Sequence, residues 1–247
     1  MIFTIAAKEL RSMFASPLAW VVLAFMQFVL ALIFLKQIDG FLVVQGQLAR
    51  TPNAPGLTEI AVVPMFGVAS MVLLMSVPLL TMRLVSEERR NQTMALLMSA
   101  PISMTQIIIG KFIAMVAFLA LINLLIMAMA LSLLAGGKID LGLLAANLIG
   151  LFLLGCSFAA IGLFISCLTT HPVVAAVLSL AVFLGLWIIN VAATNPQSWL
   201  HEVSLLDRYQ GFLNGSVAVT DLIYFGVLTA TFLILSIRRL DSDRLHA

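Results

Sequence analysis

The chain has 247 residues, of which 62% are hydrophobic and 10% charged, and its mean hydropathy is +1.15. Soluble domains carry roughly 25% charged residues, so this composition excludes a water-soluble globule and predicts a chain solvated mainly by lipid. A formal net charge of +2 gives nucleic acid no electrostatic hold, which removes it as a partner.

Residues 1–15 read as an interfacial helix. Phe3, Ala6, Leu10 and Met13 share one helical face, and Thr4, Lys8 and Arg11 lie on the other. Lys8, Glu9 and Arg11 fall between two apolar pieces, which is not the order of a cleavable signal, so the first apolar run is expected to stay in the mature protein. Ser16-Pro17 opens that run, proline being tolerated in a helix's first turn.

Six runs free of central charge reach the roughly 20 residues that a spanning helix needs. They cover residues 18–35, 60–82, 112–135, 141–168, 173–193 and 217–237, the last with Asp221 at its outer end, where a carboxylate can reach water. The pattern predicts an all-α polytopic protein with six transmembrane helices, forming one membrane domain over residues 1–247. Six crossings return the chain to its starting side. Lys8, Arg11, Arg83, Arg89, Arg90, Lys111, Arg238, Arg239 and Arg244 lie on that side, against Lys36, Arg50, Lys138 and Arg208 on the other. Basic loops stay inside, which predicts cytoplasmic termini.

The connections are unequal. Residues 136–140 and 169–172 form tight hairpins, whereas 36–59 and 194–216 are longer outer loops. Residues 83–106 form the one sizeable cytoplasmic segment. In it Glu87, Glu88, Arg89 and Arg90 precede a helical pattern in which Met94, Leu97 and Met98 share a face, until Pro101 ends it. A short amphipathic helix held between two spans suits mechanical coupling to a cytoplasmic ATPase. A solvated charge cluster flanking two spans is the other reading. In the last outer loop, Leu205, Leu206, Tyr209, Phe212 and Leu213 space as a short helix. It could dip into the bilayer and cap a path, or anchor the chain at the headgroups through Tyr209 and Trp199.

Sites for chemistry are missing from the pattern. A phosphate-binding loop needs a hydroxyl residue after its Gly-Lys pair, but Ile139 follows Gly137-Lys138 and Phe112 follows Gly110-Lys111. Cys156 and Cys167 share one apolar run, and His171, His201 and His246 are scattered, so neither a metal set nor a catalytic set is expected. The cores of the spans carry no ionisable residue, which argues against a proton-driven carrier. Gln27, Asn123, Asn147, Ser157, Ser166 and Asn190 read as glue between helices. If ATP drives this chain, a separate polypeptide must hold the ATP and Mg.

Four stretches carry a family likeness. They are Lys8-Glu9-Leu10 with Phe14 and Ser16-Pro17; Glu87 to Arg90 with Thr93, Leu96-Leu97, Ala100-Pro101-Ile102-Ser103 and Gly110-Lys111; Phe212, Gly215, Val217, Asp221 and Tyr224-Phe225; and Arg238-Arg239. In these the chain resembles ABC-type-2 permeases, and within them the gliding-motility permease group. Such permeases usually have Gly before the threonine and Glu two after it, where this chain has Gln92 and Ala95. The resemblance implies a non-enzymatic permease that works as a pair, with a second copy or a related permease, in the bacterial inner membrane. Two copies of an ABC ATPase (nucleotide-binding) subunit would dock on it and drive export. The residues implied in ATPase coupling are Glu87, Glu88, Arg89, Arg90, Thr93, Leu96, Leu97 and Pro101. Relatives sometimes sit with a large periplasmic-facing accessory protein, so force transmission without transport is the alternative.

Overall fold

Backbone amides and carbonyls in lipid must be satisfied within their own segment, which makes a helix of each isolated span. The computed structural model describes residues 1–48, 56–94, 102–135, 139–192 and 204–246, and among these it contains helices and no strand. In chain order they are α1 (Ile2–Ala15), α2 (Pro17–Leu48), a π-helical turn (Thr58–Val62) that runs into α3 (Val63–Thr81), α4 (Ser86–Arg90), α5 (Met104–Leu131) with a 3-10 turn after it (Ser132–Ala135), α6 (Leu141–Leu168), α7 (Pro172–Ala192), α8 (Leu205–Leu213) and α9 (Val219–His246). The six predicted crossings fall in α2, α3, α5, α6, α7 and α9, each long and apolar enough to span.

Two helices overrun their predicted ends at a lysine. α2 continues through Lys36 and Asp39 to Leu48, into what the sequence suggests is loop. At 1.5 Å per residue its 32 residues reach about 48 Å, some 18 Å more than a hydrocarbon layer of about 30 Å. α5 begins at Met104 instead of near Phe112, with the Ser103 hydroxyl accepting the Gln106 amide as its cap. A charge marks where lipid ends or where a partner is found; it does not break the helical backbone.

α6 is the axis of the bundle, and its buried positions occur on every side from Leu144 to Cys167. Close packing there depends on missing side chains. A Cβ at Gly150 would lie 2.5 Å from the Phe212 Cβ, and one at Gly162 would collide with the Thr81 side chain. Small residues at such crossings let membrane helices gain van der Waals contact where lipid supplies no hydrophobic drive. Asp140 caps α6, its carboxylate accepting the amides of Gly142 and Leu143 at 2.8 and 3.1 Å.

α1 packs across the start of α5, where Gly110 leaves room for Ile5. Its inward face differs from the predicted one. Ala6, Leu10 and Met13 do face the bundle, but Phe3 is 80% exposed, and Glu9 is turned inward. A carboxylate on an apolar face calls for a cation opposite it.

Candidate functional site

That cation is Lys111, two turns into α5 and only 1% exposed. Its ammonium lies 2.9 Å from Glu9 Oε1 and 2.8 Å from Glu88 Oε1. Lys8 stands at the rim, 3.6 Å from Glu9 and 3.9 Å from Glu88, so two cations meet two carboxylates. Burying a lone ammonium costs several kcal/mol, which close, well-oriented carboxylates offset. Lys111 stands just before the apolar run predicted to begin at Phe112, and the earlier start of α5 places it within the helix, where its partners are protein, not lipid.

Glu88 belongs to α4, whose short length is defined at both ends. At its start, the Ser166 hydroxyl of α6 accepts the amides of Val85 and Ser86, each at 3.1 Å, and donates to the Met82 carbonyl at 3.1 Å. One side chain thereby joins the end of α3, the beginning of α4 and the axial helix. At its end, the Thr93 amide donates to the Glu88 carbonyl (3.1 Å) and the Gln92 amide to that of Arg89 (3.2 Å), with Gln92 at φ 57°. This is the Schellman closure, whose left-handed residue is most often glycine. Gln92 occupies the position where the resembling permeases usually have Gly.

On its other side α4 reaches α9. The Arg89 guanidinium pairs with Asp243, which Arg239 also approaches at 3.5 Å. Adjacent residues of one short helix therefore grip opposite walls: Glu88 holds α5 and α1, and Arg89 holds α9.

The predicted coupling residues accordingly divide. Glu88 and Arg89 turn inward and serve as internal ties, whereas Arg90 and Thr93 are exposed. Glu87 borders a cavity of about 290 Å³ together with Glu9, Ser12, Ser16 and Arg83. Lys8 and Arg11 stay on the exposed face of α1. Leu96, Leu97 and Pro101, with most of the predicted helical pattern after Met94, lie outside the described residues. Sequence reasoning missed the roles of Glu9, Lys111 and Asp243, whereas Ser166, read as glue between helices, does join them. The available signal was a single charge on the apolar side of a helical wheel, visible at Glu9 once Ala6, Leu10 and Met13 are aligned.

The far end of the bundle is closed differently. The Ser204 hydroxyl accepts the Asp207 amide at 3.3 Å and starts α8. Tyr209 and Phe212, the two predicted outer-loop residues, are both buried. The Tyr209 hydroxyl donates to the Phe66 carbonyl of α3 at 3.0 Å, and burial pushes its phenol pKa up, so it remains a donor. This removes Tyr209 from the headgroup belt; Trp199, the other predicted anchor, lies outside the described residues. Asp221 is likewise 9% exposed, not open to water, and pairs with Arg208 at 2.9 Å, while that guanidinium lies over the Tyr224 ring at 5.5 Å.

The mild polar groups in the spans divide between bonds within one helix and bonds that cross to another. Asn123 and Asn147 donate to the carbonyls of Leu119 and Leu143, and Ser157 meets Thr229 at 3.2 Å between α6 and α9. Among the described residues no group of His, Cys, Asp and Glu could hold a metal ion.

The sequence matches the family described as ABC-2 family transporter protein over residues 3–244. The chain belongs to that family. The match is to the ABC-2 family as a whole. No individual curated protein matches the chain significantly. As an ABC-2 protein with six membrane-crossing helices, it is a multi-pass permease subunit of an ABC transporter. The ion-tied α4 and the α8 plug are thus the two ends of an ABC-2 membrane domain.

Proposed function

We propose that this ABC-2 permease is driven by a separate ATPase subunit and exports a substrate across the bacterial inner membrane, with the α4 end in the cytoplasm. The observation that carries the reading is the anchoring of α4. Side chains tie it to α1, α5, α6 and α9 at once, so a push on it is shared by most of the bundle. Arg83, Arg89, Arg90, Lys111, Arg238 and Arg239 gather at this end, as basic residues do on the cytoplasmic side. The ATPase, in two copies and holding ATP and Mg, docks on Arg90 and Thr93, with Leu96 and Leu97 as an apolar key and Pro101 closing the segment. Lys8 and Arg11 edge the same surface. A second permease completes the path.

Closure of the ATPase pair moves α4 as a rigid unit because both its ends are capped. The test is co-purification in mild detergent followed by reconstitution. A nucleotide-binding subunit is expected to come with the chain, and Leu97→Asp is expected to abolish stimulation of its ATPase while membrane insertion persists. Unchanged stimulation in the mutant complex rejects the coupling role.

One observation favours a second reading, in which force is passed to an envelope partner and no solute crosses. The far end of α2 overruns the bilayer and exposes Leu42 and Val43. A large periplasmic-facing accessory protein in the purified complex would support it, and solute transport by the permease and ATPase alone would exclude it.

A further inference from the structure

α9 has 28 residues, about 42 Å of helix against about 30 Å of hydrocarbon, so its last turns extend beyond the bilayer. Those turns are not a loose tail. Ser236 and Leu240 are fully buried, and Asp243 follows at helical spacing on the same inward face. There Asp243 meets Arg89, the residue next to the one that binds Lys111. Farther along, the same helix face engages the axial helix: Thr229 meets Ser157, and the Phe232 ring lies 5.7 Å from that of Phe164. A continuous set of contacts therefore runs from α4 through Asp243 and α9 to α6.

The geometry points to a second transmission arm, in which Asp243 ties the last span to the coupling segment so that α9 moves with α4 during the ATPase cycle. Asp243 is a positioning residue; it touches neither nucleotide nor substrate. The reason is mechanical and electrostatic. Arg89 and Asp243 are largely shielded from water, with side chains 15% and 24% exposed, so solvent screens them weakly. Displacing α4 without α9 would part these charges, and removing Asp243 would leave the Arg89 guanidinium shielded and uncompensated. The Arg239–Asp243 contact lies within α9 and passes nothing between helices.

The inference rests on the proposed ATPase partner, and the experiment separates the two. The full chain is reconstituted with the nucleotide-binding subunit that co-purifies with it, and spin labels are placed at Val227 of α9 and Val177 of α7, both exposed. Mg-ATP is expected to change the label distance in the otherwise unaltered complex. Asp243→Asn is expected to lose that change while retaining the docked subunit, and Asp243→Glu to restore it. Arg89→Gln, acting from the other side of the ion pair, is the second variant and is expected to lose the change as well. A full distance change in docked Asp243→Asn complexes, or in docked Arg89→Gln complexes should the first variant not fold, overturns the inference and leaves the ATPase reading standing. Failure of the unaltered chain to recruit any nucleotide-binding subunit overturns both.

Discussion

The two ends of this bundle are closed by opposite kinds of force. At the α4 end, Glu9, Glu88 and Lys111 form an ionic knot extended by Arg89 and Asp243. At the α8 end, a short helix drives Tyr209 and Phe212 into the core, and Phe212 fills the space that Gly150 leaves. Ionic contacts are few, strong in a shielded site and able to exchange partners, whereas interdigitated apolar packing yields only when whole side chains move. The difference suits the proposed role, in which the chain is pushed at one end and sealed at the other.

The contrast can be broken first at the knot. Lys111→Met leaves Glu9 and Glu88 facing each other without their buried cation, and a loss of about 3–5 kcal/mol is expected. Melting of the detergent-solubilised protein measures it, and adding Glu9→Gln and Glu88→Gln should recover most of the loss. A single mutant that melts like the parent would mean that the knot is not holding this end together. The corresponding break at the other end is Gly150→Leu, which forces Phe212 out of its seat. Overpacking of that kind costs about 1–3 kcal/mol, and the carboxylate changes that rescue Lys111→Met should do nothing for it. The smallest effect sharpens the picture of α4 itself. Gln92→Gly relieves a left-handed residue and should raise the melting temperature by the equivalent of about 0.5–1 kcal/mol, less any entropy that glycine adds to the unfolded chain. A fall on that substitution would show that the Gln92 side chain contributes more than its backbone strain takes away.

Much of the fold could be read along the chain. Each spanning run is identified by its own residues, and the short helix at residues 205–213 was visible in the spacing of Leu205, Tyr209 and Phe212. The site was less legible. Glu88 and Arg89 read as surface charges available to a partner but turn inward, whereas among the described coupling residues Arg90 and Thr93 are exposed. Lys36 and Lys111 look alike in the sequence, each bounding an apolar run. One stands on an α2 that runs on beyond the bilayer, and the other is sealed against two carboxylates.

The sequence alone determined that this is a six-span helical membrane protein, because lipid thickness and the lack of water act locally on each run of residues. It also marked the segment after α3 as unusual through its dense charge. Only the tertiary structure decided which charges are free and which are ties. Glu9, Glu88, Lys111 and Asp243 lie on four different helices, and ion pairing depends on distance in space, which helix packing around α6 sets and no local pattern records.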